Sequence, residues 1–144
     1  MNSINVTKTH FIIYVKDQAR STAFYSQVLG CHPSLNVPGM TEFAFSENGI
    51  LGLMPETGIK RLLGNKLPDP AQSTVIPRCE IYLLVNQPLD YHQRAIEAGA
   101  IELSGLENRA WGHRAAYSLD PDGHVLAFAE QIESESPDKR SEEI

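Results

Sequence analysis

The feature that most constrains this chain is that its second half repeats the order of elements in its first half. Each half begins with a short apolar run, ending at Val15 or Val85, and continues into a helical pattern that stops at Gly30 or Gly99. These landmarks recur after roughly 70 residues, so we interpret the chain as an internal duplication. Because few paired letters are identical, the interpretation depends on the order of elements and turns.

Within each half, the patterns follow the order βαβββ. Short apolar and β-branched runs favour buried strands, and apolar residues at helical spacing, bounded by a capping residue and a glycine, favour helices. Turn sequences at Asn48-Gly49 and over residues 120–123 separate the last two strands of each half. The first half predicts a strand over 11–15, a helix over 18–29 and strands over 34–37, 41–45 and 50–54. The second half predicts a strand over 80–85, a helix over 88–98 and strands over 101–103, 115–119 and 124–129.

These halves are interpreted as two modules of one domain over residues 1–131. Module 1 covers about 8–55 and module 2 about 78–131, and the linker over 56–77 is rich in proline and glycine. Inside the linker, residues 59–63 predict one helical turn, which would plug the core, cover a cleft or contact a second subunit. Residues 132–144 predict an acidic, disordered tail.

Composition and charge exclude several classes of protein. The 144 residues carry a formal net charge of −6, which argues against binding nucleic acid, because that affinity requires clustered Lys and Arg. The apolar runs are far shorter than the roughly 20 residues of a membrane span. There are only 2 cysteines and the N-terminus lacks the pattern of a secretory signal, so we expect a cytoplasmic protein.

Several short motifs, taken in chain order, resemble those of one known family. They are His10 with Val15 and Asp17 downstream, Phe24-Tyr25, Val28-Leu29-Gly30, Trp111-Gly112 and Asp120-Pro121-Asp122-Gly123-His124. In this order they resemble the vicinal oxygen chelate superfamily, which includes glyoxalase I, extradiol dioxygenases, fosfomycin resistance enzymes and bleomycin resistance proteins. The resemblance covers about residues 8–131 and agrees with the internal duplication.

The resemblance implies an α+β fold of two βαβββ modules. Their mixed sheet would curl into a half-barrel, with helices outside and a concave ligand cleft inside. Because strand side chains alternate between faces, one assignment fixes the others. If His10 faces the cleft, the full cleft set on the two first strands is His10, Ile12, Tyr14, Glu80, Tyr82 and Leu84, and Phe11, Ile13 and Val15 pack under the helix.

Family members that perform chemistry hold one divalent ion with His and Glu side chains from both modules. The matching positions on the first strands are His10 and Glu80, and those on the last strands are Leu53 and Ala127, which have no donor atom. Catalytic zinc and facial-triad iron sites use three protein ligands. We therefore predict no metal cofactor, with His10 and Glu80 as weak candidate ligands should a divalent ion bind.

His10 and Glu80 have other interpretations besides metal binding. A hydrogen-bonded pair across the axis between the modules would favour the imidazolium form of the histidine. Such a pair is a candidate general base, a candidate anchor for a polar ligand, or a satisfied buried pair with a structural role. The sequence leaves these three alternatives open.

Aromatic residues supply the remaining candidate ligand contacts. Trp111 is placed either to stack on a planar ligand or to cover a sheet edge. The resemblance implies that Tyr82 and Tyr117 lie on the cleft face. The isolated arginines and the other histidines show no ligand spacing, so we expect them at the surface or in turns. They are Arg78, Arg109, Arg114, His32, His92, His113 and His124.

Taken together, these features predict a protein that binds or sequesters a small organic ligand. The predicted ligand contacts are His10, Glu80, Tyr82, Trp111 and Tyr117, and the predicted assembly is a homodimer. The alternative is a metal-dependent lyase, isomerase or dioxygenase that uses His10 and Glu80. Fold alone does not choose between these functions.

Overall fold

The computed structural model describes residues 5–74 and 76–133, so the predicted tail beyond residue 133 lies outside the described residues. Module 1 contains β1 (Thr9–Val15), α1 (Gln18–Leu29), β2 (Leu35–Val37), β3 (Met40–Ser46) and β4 (Gly49–Pro55). The connecting segment contains α2 (Glu56–Leu63) and two 3-10 turns, Gly64–Lys66 and Pro70–Gln72. Module 2 contains β5 (Glu80–Leu84), α3 (Pro88–Glu97), β6 (Ile101–Asn108), β7 (His113–Leu119) and β8 (Val125–Gln131).

The two modules have the same sheet topology. The strand order is β1-β4-β3-β2 in one sheet and β5-β8-β7-β6 in the other. In each sheet the first and last strands of the module pair in parallel, and the other pairs are antiparallel. This equivalence confirms the α+β fold of two βαβββ modules. Within the described residues no strand ladder joins one sheet to the other.

Helix α1 has the bounds that its sequence predicts, because both ends carry strong local signals. The Asp17 carboxylate accepts a hydrogen bond from the Arg20 amide at 3.0 Å, which caps the first turn. Gly30 ends the helix at φ 69°, a left-handed conformation that costs glycine little. Phe24, Tyr25 and Val28 form the buried face, which packs on the sheet of module 1.

The alternation predicted for β1 holds for its second half only. Ile13 and Val15 are buried in the core, as predicted for side chains beneath α1. Phe11 was expected beside them but is 41% exposed. The expectation for Phe11 is wrong because β1 is an edge strand of its sheet, and Phe11 lines a cavity along that free edge.

Two segments are longer than their sequence patterns predict. Strand β6 continues to Asn108 through register shifts near Ser104, where polar residues and Gly105 do not resemble a strand. Helix α2 occupies Glu56–Leu63 and contacts β1 and β4. Its Ile59 is buried whereas Leu62 is 70% exposed, which favours the interpretation of this helix as a plug over the core.

None of the helices in the described ranges has the length and apolar character needed to cross a membrane.

Hydrogen bonds join α1 and Lys16, which precedes it, to the turn between β7 and β8, and we call this group the module latch. The Tyr25 hydroxyl donates to Asp120 Oδ2 at 2.7 Å, and Tyr25 is fully buried. Asp122 accepts from the Ser21 hydroxyl at 3.0 Å and from the Lys16 amide at 2.9 Å. These bonds connect module 1 to module 2 across about a hundred residues of sequence.

His124 extends the latch through a bond between its Nδ1 and Asp120 Oδ2, 2.9 Å apart. Burial acts to lower the pKa of His124, but the hydrogen bond and charge of Asp120, with Asp122 and Glu56, outweigh it, so the pKa is raised. Burial acts to raise the pKa of Asp120, but its bonds to His124 and Tyr25 outweigh that effect and lower it. The pair is therefore stabilised as a carboxylate with an imidazolium.

Removing the Tyr25 hydroxyl tests the latch. Tyr25→Phe keeps the ring in the core but takes one buried donor from Asp120. We expect the free energy of unfolding to fall by about 1.5–3 kcal/mol, the typical contribution of a hydrogen bond to a charged group. Urea denaturation at neutral pH measures the change. Tyr91→Phe is the matched control, because Tyr91 packs on Phe128 and its hydroxyl has no described hydrogen-bond partner. Equal losses in the two variants would contradict the latch.

The pH dependence of stability tests the His124 bond. A raised native pKa means that the stabilisation is complete below the unfolded pKa of about 6.5 and is lost as the pH rises through the native value. We expect the free energy of unfolding of wild type to exceed that of His124→Gln by about 1 kcal/mol near pH 6. The difference should shrink towards pH 9. Thermal unfolding of both proteins at each pH measures it, and a difference that grows with pH would refute the assigned direction.

Candidate functional site

The concave face of the second sheet brings together four of the five predicted ligand contacts. Strand register places Tyr82 beside Ala127 and Ala127 beside Tyr117, so these three side chains share one face. Glu80 precedes Tyr82 by two residues and therefore lies on the same face. The opposite face carries Leu126 and Phe128, which pack in the core with α3.

Tyr82, Trp111, His113 and Tyr117 form a cluster that we call the aromatic layer. The Trp111 indole N–H donates to the Tyr82 hydroxyl at 2.9 Å, which leaves the phenol proton free to bond His113 Nδ1 at 2.8 Å. The Tyr82 and His113 rings stack with centroids 5.7 Å apart and an interplanar angle of 27°. Trp111 is nevertheless 57% exposed, so one broad aromatic surface is held in place while remaining accessible.

Arg109 fixes the other side of the aromatic layer. Its guanidinium carbon lies 5.0 Å from the centroid of the Tyr117 ring, within the range of a cation–π contact. The same guanidinium donates to the Ala115 carbonyl at 2.7 Å and to the Ser104 hydroxyl at 2.8 Å. The expectation of a solvated surface arginine is therefore wrong here, because the bulged β6 strand brings Ser104 within reach of its planar group.

Three alanines form the floor beneath this layer. Ala115, Ala127 and Ala129 are fully buried on the concave face, and their small side chains leave room for the rings above them. Burial, followed by the charge of nearby Glu80, raises the pKa of Tyr117. The face thus combines apolar rings with phenol, indole and carboxylate groups, a combination suited to a planar ligand that also carries polar atoms.

Two histidines that we expected at the surface or in turns have other environments. His113 belongs to the aromatic layer, as described above. His92 is buried and its Nε2 lies 2.8 Å from Glu102 Oε2. Strand β7 begins at His113, two residues before the strand predicted over 115–119, so His113 shares a face with Tyr117. A longer predicted strand would have given this assignment.

His10 lies on the first sheet and is paired with a different carboxylate from the one predicted. Its Nδ1 is 3.5 Å from Glu42 Oε2 on β3. Within the described residues, no ion pair joins His10 to Glu80, so the proposed pair across the axis between the modules is wrong. Sequence spacing could not indicate Glu42, because the contact depends on β3 lying two strands away from β1 in the sheet.

Strand register also corrects the last-strand position in module 1. Tyr82 is paired with Ala127, and its counterpart Ile12 is paired with Gly52, so Gly52 occupies the position assigned above to Leu53. Leu53 faces the core and is fully buried. A Cβ added to Gly52 would lie 3.0 Å from Ile12 Cγ1, so the Ile12 side chain packs directly over the Gly52 backbone.

The donor set on the concave faces does not fit the divalent ion of the catalytic family members. Gly52 and Ala127 offer no ligand atom, and His10 and Glu42 supply only two donors. Residues 5–74 and 76–133 contain no group of three or more His, Cys, Asp or Glu side chains arranged to hold a metal ion. Protein metal sites of this kind use at least three such ligands, so the residues present do not fit that ion.

Comparisons with solved structures agree with the observed fold. A glyoxalase/bleomycin resistance protein/dioxygenase from Nocardioides matches with a TM-score of 0.70 at 20% identity, over 95% of this chain and 89% of that chain. A glyoxalase-related enzyme from Fulvimarina pelagi matches with a TM-score of 0.71 at 19% identity, over 85% and 86%. At these identities the similarity concerns the fold alone.

Sequence comparison identifies the family. An uncharacterized protein of Mycobacterium bovis is 27% identical over 131 residues, which are 88% of this chain and 85% of the relative. The family model described as Glyoxalase/Bleomycin resistance protein/Dioxygenase superfamily matches residues 8–128. With the two equivalent modules and the concave face already described, the conclusion is that this chain belongs to the glyoxalase/bleomycin resistance protein/dioxygenase superfamily.

Proposed function

We propose that this protein binds a small, planar heteroaromatic molecule on the concave face of its second sheet. The observation that carries the proposal is the aromatic layer, in which an exposed Trp111 is held by a hydrogen bond to Tyr82. A ring whose orientation is already fixed loses little conformational entropy when a ligand stacks on it. Binding and sequestration of the ligand, without turnover, is the function this surface supports best.

The charge at this face favours a ligand that carries a positive group. Glu80 contributes a carboxylate near Tyr117, whose pKa is raised first by burial and then by the charge of Glu80. Arg109 is directed at the Tyr117 ring and at backbone carbonyls, so its charge is already engaged. A heteroaromatic cation would stack on Trp111 and gain an attraction to Glu80 and to the faces of the aromatic rings.

The alternative of a metal-dependent lyase, isomerase or dioxygenase receives less support. It would use His10 and Glu80 as metal ligands, but the described residues contain no group of three or more His, Cys, Asp or Glu side chains arranged to hold an ion. We therefore propose that ligand binding does not need an ion.

A homodimer remains part of the proposal. The concave face of the first sheet exposes Ile12, Tyr14, Leu35 and Val37, which together form an apolar surface. Large exposed apolar patches commonly mark interaction sites, and a second copy of the chain would remove this one from water. The proposed binding surface on the second sheet does not depend on this pairing.

Calorimetric titration with 4-aminoquinoline, a planar heteroaromatic cation, tests the proposal. We expect saturable binding to wild type and about tenfold weaker binding to Trp111→Ala, because the variant loses one aromatic stacking surface. Glu80→Gln should also weaken binding, and added salt should reduce its effect, since an exposed charge is screened.

Leu62→Ala serves as the control, because Leu62 is a large, exposed apolar side chain on α2, outside the aromatic layer. The affinity of this variant for 4-aminoquinoline should equal that of wild type. If Trp111→Ala and wild type bind the probe equally, the aromatic layer is not the binding surface.

A further inference from the structure

A separate cavity of about 350 Å³ runs along the free edge of β1. It is bordered by β1, by residues 70, 73 and 76–79 and by the turn between β7 and β8. Its walls are largely apolar and include Phe11, Ile13, Tyr14, Ile76 and Pro77. The volume is at the lower end of the range for small-molecule sites, and no member of the aromatic layer lines it.

Three side chains that carry or can carry positive charge line this cavity, Lys16, Arg78 and His124. In the described part of the chain, neither Lys16 nor Arg78 forms an ion pair. Unpaired cations beside an apolar wall favour a ligand that has one anionic end and an apolar body.

His124 has one ring nitrogen that is available to an anion. Its Nδ1 is bonded to Asp120, so Nε2 is the ring nitrogen without a partner among the described residues. Although burial acts to lower the pKa of His124, Asp120, Asp122 and Glu56 raise it overall, which favours the imidazolium form. In that form Nε2 carries a proton that can be donated to a ligand oxygen.

The carboxylates of Asp122 and Glu56 also line the cavity and would repel an anion. The surroundings of each group reduce this repulsion. Asp122 accepts hydrogen bonds from Ser21 and the Lys16 amide and lies 3.4 Å from the Arg20 guanidinium. Burial, followed by the charge of Asp122, raises the pKa of Glu56, so this group protonates more readily than a free glutamate. Lys16 and His124 act in the opposite direction on the same group.

We propose that this cavity binds a small carboxylic acid, with its carboxylate at Lys16 and His124 and its apolar body against β1 and Ile76. Arg78 adds positive charge from the segment that leads into β5. The site is distinct from the aromatic layer and takes a ligand of opposite charge. It also lies against the module latch, so an occupant would contact both modules at their junction.

Calorimetric titration of the full chain with octanoate and with 1-octanol tests this proposal. The two probes share an apolar chain and differ in charge. We expect octanoate to bind at least about tenfold more tightly than 1-octanol near pH 6, the ratio that one charge-assisted contact supplies. Octanoate affinity should then fall as the pH rises through the raised pKa of His124, because the imidazolium is lost while Lys16, Arg78 and Arg20 stay charged.

Lys16→Gln and Lys66→Gln form a matched pair of variants. Both remove one positive charge, but only Lys16 lines the cavity, and its latch bond uses the backbone amide, which the substitution retains. We expect Lys16→Gln to weaken octanoate binding about three- to tenfold and Lys66→Gln to leave it unchanged. In His124→Gln the pH dependence between about pH 6 and 9 should disappear.

Three results would overturn the proposal. One is the absence of octanoate binding, and another is equal affinity for octanoate and 1-octanol. The third is an equal effect of Lys16→Gln and Lys66→Gln, which would show that octanoate responds to net charge alone and not to this cavity.

Discussion

The position of one module relative to the other depends on a few hydrogen bonds between them and on the packing of α1 against α3. The two sheets share no ladder within the described residues, so backbone pairing cannot align them. Packing of α1 on α3 and the bonds of Asp120 and Asp122 to α1 take that role. Apolar packing is not directional, whereas hydrogen bonds from Tyr25 and Ser21 to two carboxylates fix an orientation. The cavity beside β1 exists because this junction holds the β7–β8 turn against module 1.

The ends of helices were predicted well where a residue has a specific local role, such as a capping carboxylate or a left-handed glycine. Asp17 and Gly30 determine the ends of α1, and the repeated element order indicated two equivalent modules. The residue predicted as the first-module equivalent of Ala127 was Leu53, one position after the observed Gly52. The prediction aligned the turn before β4 with the turn before β8, and these turns differ in length. Only Glu47 and Asn48 connect β3 to β4, whereas residues 120–124 connect β7 to β8. Only strand register, which is a property of the folded sheet, shows that Gly52 occupies that position.

The candidate site was predicted in part, and its failures have a common physical cause. Tyr82 and Tyr117 were assigned to the cleft face by the family resemblance, and the strand register places both on one face of the second sheet. His10 with Glu42, and Arg109 with Tyr117, are contacts between strands or across a bulge, and their partners follow from sheet order and curvature. Single-sequence patterns do not contain that information, so a cluster between neighbouring strands is found only when the strands are assembled.

Our central proposal is that side chains of the second sheet bind a planar ligand without a metal ion. It follows from the aromatic layer and from the lack of donor atoms at Gly52 and Ala127. The most direct measurement is titration of 4-aminoquinoline into protein treated with EDTA and dialysed, compared with the same protein supplied with Mn²⁺ or Zn²⁺. We expect equal affinity for 4-aminoquinoline in all three samples. Loss of binding after EDTA treatment, restored by either ion, would contradict it.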